Sequence, residues 1–106
     1  MCGIAGFCQF KPGLPLKMKH LEAMTDEIRQ RGPDDKGYYQ KEPVGLAMTR
    51  ISIVEVGGGG QPMSNERGTV WVVFNGEIYN HLDLRKPLEE AGHRFTTHSD
   101  TEVLVH

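Results

Sequence analysis

Two apolar runs that do not alternate with polar residues constrain this fold more than any other feature. One is "GIAGFCQF", residues 3–10, small and mostly apolar; the other is "VWVVF", residues 70–74. A strand with one wet face alternates, so both runs read as strands covered on both sides. Between them, Met18, Leu21, Met24 and Ile28 recur at helical spacing among charged residues, which predicts an amphipathic helix. "RGPDD" ends it, with Gly32 as the expected cap and Pro33 beyond. Strands covered twice and helices with one apolar stripe imply an α+β fold, its sheets sandwiched between helical layers.

The remaining segments punctuate that plan. "KPGLP", residues 11–15, breaks the first strand, because proline cannot feed a ladder. "GYYQK" is a short strand. In "VGLAMTRISIVEV", Val44, Leu46 and Met48 share one parity whereas Ile51 and Ile53 share the other. The apolar face therefore changes phase near Thr49 and Arg50, which predicts a bulge or bend there. "GGGGQP" reads as a mobile loop, and "NGEIYN" turns the chain after the second apolar run. Leu82, Leu84, Leu88 and Ala91 predict a helix ending at Gly92. Pro87 lies inside it and would cost about 3 kcal/mol in a continuous helix, so a kink or a break into two pieces is expected. "RFTTH" reads as a last strand. "SDTEVLVH" reads as a helix opened by a capping box from Ser99 to Glu102.

A chain of 106 residues is one small domain at most. Its net charge of −2 comes without a basic run or an acidic tail, so no nucleic-acid partner is expected. No apolar stretch is long enough to span a membrane or is preceded by a charged signal region, which points to the cytoplasm and to reduced thiols. Cys2 and Cys8 would lie on one face of a strand, ~20 Å apart at the usual rise and beyond disulfide reach. Despite five histidines there is no Cys-x-x-Cys and no His-x-x-x-His, so no metal site is expected.

Three constellations can carry chemistry. Removal of Met1 would leave Cys2 with both a thiol and an α-amino group, and these have ordinary pKa values near ~8.5 and ~8. One residue then supplies nucleophile and base, with the terminal amine in the place histidine takes elsewhere. Asn75-Gly76 offers a carboxamide and a backbone N–H at a strand end, suitable donors for an oxyanion; a hairpin turn is the plainer reading. Arg50 offers a planar fork to a carboxylate, and Glu77 and Asp100 offer partners to an ammonium, so the three together suit an α-amino acid. Each also has an ordinary reading: a surface arginine, a solvated acid, and a carboxylate favoured at a helix N-terminus. "GGGG" lacks the Lys-Ser/Thr of a phosphate loop, no spacing places a histidine beside Cys2, and "RGPDD" is explained as a helix stop.

In order along the chain, "MCGIAGF", "RGPD", "TRISIV", "GGQP", "NGEIYN" and "SDTEVL" resemble the motifs of class II (type 2) glutamine amidotransferases. "NGEIYN" favours the N-terminal glutaminase domain of the asparagine synthetase branch over the hexosamine and purine branches. The resemblance implies an N-terminal nucleophile hydrolase fold, an αββα sandwich of two antiparallel sheets between helical layers. It implies L-glutamine as substrate, hydrolysed to glutamate and ammonia through a thioester on Cys2. Asn75 and Gly76 would form the oxyanion hole, Arg50 would hold the substrate carboxylate, and Glu77 and Asp100 its ammonium. Ile51, Ile53 and the "GGGGQP" loop would line the pocket. No cofactor is implied for this half-reaction. ATP and magnesium would belong to a synthetase domain or subunit that receives the ammonia.

Two departures stand out: Met48-Thr49, where many relatives carry His or Arg, and Pro87 within its helix. The family's glutaminase domain also continues beyond position 106. The chain therefore reads as the N-terminal portion of that domain, without the synthetase domain. An inactive fragment needing a second polypeptide is the alternative, and its uncovered sheet edges would favour association between copies.

Overall fold

The computed structural model describes residues 2–10, 16–32, 35–50 and 60–106. The chain forms two compact units, Met1–Ile53 and Val54–His106. Each contains a small antiparallel sheet and a helix, an α+β arrangement.

In the first unit, β1 (Gly3–Cys8), β2 (Asp35–Lys41) and β3 (Val44–Arg50) form a sheet in the order β1-β3-β2. β2 and β3 make a hairpin around Glu42-Pro43, with Lys41 opposite Val44. β1 adds on the other side of β3, pairing Gly3 with Thr49 and Cys8 with Val44. Helix α1 (Met18–Glu27) packs on the face that carries Phe7, Gly45 and Ala47. Its buried residues are Leu21 and Thr25, so the stripe is less apolar than the expected Met18-Leu21-Met24 set, and Met18 is exposed. Thr25 is tolerated inside because its hydroxyl bonds the Glu22 carbonyl (2.8 Å) and the Tyr38 hydroxyl (2.9 Å). Gly45 lets the layers close: a Cβ there would stand 2.6 Å from the Phe7 ring and 3.0 Å from Leu21.

Three expectations need correction in this unit. β1 is not covered on both faces, since Ile4 on the face away from α1 is 50% exposed, although Met48 on that face is buried. The ladder runs unbroken through Thr49 to β1 and through Arg50 to β2, so no bulge lies within β3 as far as Arg50; Ile51 and Ile53 fall outside the described residues. Gly32 is no left-handed cap. Its φ of −163° is extended, and a short 3-10 turn (Arg29–Arg31) separates it from α1.

In the second unit, β4 (Met63–Ser64) pairs with β5 (Trp71–Val72), followed by α2 (His81–Glu90) and a 3-10 helix (Asp100–Leu104). The strand expected over 70–74 is thus only two residues long. Phe74 gives its N–H to the Gln61 side chain (2.6 Å) instead of to a ladder. Helix α2 is continuous through Pro87, contrary to the expected break. Asp83, whose carbonyl loses its donor, is exposed, as is Pro87, so water can serve that carbonyl. Gly92 ends α2 as expected: at φ +101° it lets Gly92 N bond Glu89 O and His93 N bond Leu88 O, a Schellman closure.

Residues 94–98 form no strand, because their amides are committed elsewhere. Thr96 N–H and Thr97 N–H both donate to the Glu102 carboxylate, at 3.0 and 2.8 Å. That use of Glu102 also removes the capping box. Ser99 does cap the 3-10 helix by accepting from Thr101 N–H (3.2 Å), but the Ser99 amide bonds Thr97 Oγ1.

Candidate active site

Cys2 immediately precedes β1, whose first residue Gly3 pairs with Thr49, the residue before Arg50 on β3. Asp35 pairs with Arg50 from the other side. The proposed nucleophile and carboxylate-binding fork thus occupy neighbouring positions at one end of the sheet, both half-buried. Their surroundings are tight. A Cβ on Gly3 would lie 2.8 Å from Thr49 Oγ1 and 3.0 Å from Ile28. One on Gly32 would overlap the Arg50 backbone. Arg31 Nε–H reaches the Cys2 carbonyl at 3.4 Å. "RGPDD" is therefore more than a helix stop, because Arg31 reaches the Cys2 carbonyl and Gly32 packs against the Arg50 backbone.

In the second unit, Asn75, Gly76 and Glu77 are exposed between β5 and α2. The next element is a helix and Gly76 has no positive φ, which excludes the two-residue hairpin. A Cβ on Gly76 would meet the Phe74 ring at 2.8 Å, so the ring folds over the glycine backbone. Asp100 Oδ2 accepts from Ile78 N–H at 2.8 Å, bringing Asp100 to the residue after Glu77. Gln61 joins the two sides of this arrangement. Its Oε1 accepts from Phe74 N–H (2.6 Å), and its Nε2 donates to Thr101 Oγ1 (3.3 Å). Of the "GGGGQP" loop, residues 57–59 lie outside the described residues.

Sequence reasoning gave Glu102 only a capping role, yet it is 1% exposed and its carboxylate is the hub of this unit. Burial pushes its pKa up, but donors from Thr97, His106 and Thr96 outweigh that and leave it below the ordinary 4.5. Glu66 behaves likewise. Desolvation raises it, and hydrogen bonds from His93 and Arg94 N–H with the nearby His106 hold it at about 2. No local periodicity announces either role, since the partners lie on separate elements.

The match to known proteins agrees with the motifs. The family described as a glutamine amidotransferase domain matches residues 1–106. Glutamine-hydrolysing asparagine synthetase 1 of Bacillus subtilis (strain 168) is 45% identical over 107 residues, 99% of this chain and 17% of that protein. Asparagine synthetase 3 of the same organism is 42% identical over 108 residues, covering 100% of this chain and 18% of the relative. Asparagine synthetase 1 of Arabidopsis thaliana is 40% identical over 106 residues, with 100% and 18% covered. The chain thus spans less than a fifth of the length of these relatives. Matched over its whole length, it belongs to the glutamine amidotransferase domain family.

Proposed function

We propose that this chain supplies the glutamine-hydrolysing half of an asparagine-synthetase-type amidotransferase. The observation that carries the reading is the Gly3–Thr49 pair at the end of β1 and β3, with Cys2 next to Gly3 and Arg50 next to Thr49. Relatives named as glutamine-hydrolysing asparagine synthetases support the substrate.

After loss of Met1, the Cys2 thiol attacks the side-chain carboxamide carbon of glutamine, its proton passing to the α-amine of the same residue. The carbonyl oxygen becomes an oxyanion, stabilised by the Asn75 carboxamide and the Gly76 N–H; one such donor contributes ~3 kcal/mol. Collapse expels ammonia, which takes the proton held by the amine. Water then hydrolyses the thioester to glutamate. Arg50 binds the substrate α-carboxylate by its fork. Glu77 and Asp100 bind the ammonium; Asp100 keeps lone pairs for it while accepting from Ile78 N–H. On this reading the domain is an αββα sandwich, and the ammonia passes to a synthetase site.

Intact mass after incubation with a glutamine-like diazoketone tests this directly. The expected species lacks Met1 and carries one adduct on Cys2, and Cys2→Ala abolishes both adduct and turnover. Glutaminase activity that survives Cys2→Ala, or retention of Met1, sinks the mechanism.

A further inference from the structure

We propose that Glu66, His93 and His106 form a binding site for a divalent transition-metal ion, zinc foremost, that clips the second unit together. One ligand atom from each residue lies within 4.8 Å of the others. Two imidazole nitrogens and a carboxylate oxygen are a donor set zinc takes readily, with a fourth position left to water.

Each ligand is held by structure built for it. Glu66 rides the turn between β4 and β5, where Asn65 Oδ1 accepts from Thr69 N–H (2.8 Å) and Val70 N–H (3.2 Å), and Gly68 adopts φ +67°. His93 is set by the Schellman closure of α2, and its Nδ1 lies 3.0 Å from Glu66 Oε1. His106 packs against the Phe95 ring at 4.4 Å between centroids, and Arg85 covers that ring at 4.6 Å.

The buried His106 ring supplies the independent observation. Its side chain is 1% exposed, and its Nε2–H donates to Glu102 at 3.0 Å. The other nitrogen, Nδ1, stands 2.7 Å from Glu66 Oε2, yet off the hydrogen-bond direction, and it has no hydrogen-bond partner. With its proton on Nε2 toward Glu102, the ring turns its Nδ1 lone pair beside a carboxylate oxygen, an arrangement that repels unless a cation, a proton or a metal ion, stands between them. Metal-bound histidines commonly donate their second N–H to a carboxylate, which fixes tautomer and ring orientation. Glu102 does this here. A tetrahedral site with bonds of about 2.0–2.2 Å places ligand atoms about 3.4 Å apart, so only small side-chain movements are needed. The sequence spacing concealed this site because its ligands come from a turn, a helix end and the segment after the 3-10 helix.

The test is calorimetric titration of the chelator-stripped protein with zinc, alongside cobalt absorption spectroscopy. One saturable equivalent is expected, and the cobalt spectrum should show nitrogen and oxygen coordination without a thiolate charge-transfer band. Glu66→Gln and His93→Ala, at partly exposed positions, should each weaken zinc at least about tenfold while circular dichroism stays unchanged. Zinc should also raise the melting temperature of the parent protein and not that of the variants. Absence of saturable binding would overturn the site and leave a protonated His106 as the cation beside Glu66. Binding that survives both substitutions, or that vanishes with Cys8→Ser, would overturn it equally.

Discussion

Gly32 lies so close to Arg50 that a single added carbon would overlap the Arg50 amide nitrogen and α-carbon. The neighbouring Arg31 reaches the carbonyl of Cys2, so the turn after α1 braces the end of the sheet on both strands. Gly32→Ala must displace this backbone, and overpacking of this kind costs about 1–3 kcal/mol. Under the proposed chemistry the displaced Arg50 binds the substrate carboxylate poorly, so KM for glutamine should rise more than kcat falls. Urea denaturation and steady-state glutaminase kinetics check both effects. Wild-type stability and KM in the variant would show that Gly32 braces nothing.

Glu102 tests the second unit. Its buried carboxylate accepts from Thr96 N–H, Thr97 N–H, Thr97 Oγ1 and His106 Nε2–H. In Glu102→Gln an amide group must face some of these donors, and a loss of about 3 kcal/mol is expected from urea midpoints at neutral pH. The sign with pH follows from a folded-state pKa below the ordinary 4.5. The carboxylate contributes fully above that value, and its contribution drains away as pH falls beneath it. In the presence of chelator, the gap between parent and variant should therefore narrow on acidification. A constant gap would place the stabilisation elsewhere.

The same carboxylate explains where the sequence was legible and where it was not. β1, β2 and β3 were readable because their signals are local: apolar parity, a turn, and glycine and proline as punctuation. The end of α2 was readable because Gly92 takes a positive φ there. Residues 94–98 have the composition of a strand, but Glu102, several positions on, takes the amides that a ladder would need. Likewise Gln61 takes the Phe74 amide and shortens β5. Side-chain acceptors that compete with a sheet leave no trace in hydrophobic periodicity. The candidate site was legible as motifs, Cys2, Arg50, Asn75-Gly76-Glu77 and Asp100. The residues that brace it, Gly32 and Gln61, read only as a cap and a loop.

Pro87 sits inside a continuous helix at an exposed position. Pro87→Ala restores one backbone donor and removes the clash with the preceding turn, so the protein should become more stable by up to about 3 kcal/mol. Thermal melting checks this, with glutaminase activity unchanged because the residue touches none of the proposed site. A lower melting temperature would mean that the proline rigidifies the unfolded chain more than it strains the helix.

Gln61 offers the sharpest separation between support and chemistry. Its amide spans Phe74, next to the proposed oxyanion donors, and Thr101, next to Asp100. Gln61→Glu keeps the acceptor for Phe74 N–H but gives up the donor to Thr101, whereas Gln61→Leu keeps neither bond. Loss of the Phe74 bond should loosen Asn75 and Gly76 and so lower kcat, while loss of the Thr101 bond should act through Asp100 and raise KM. Gln61→Glu should therefore change KM chiefly, and Gln61→Leu should change both, by about tenfold if each bond contributes ~1.4 kcal/mol to the aligned state. Rates of thioester formation from single-turnover mixing, set beside steady-state KM, distinguish the two. Equal kinetics in both variants would mean that Gln61 holds the loop without aligning the groups on either side.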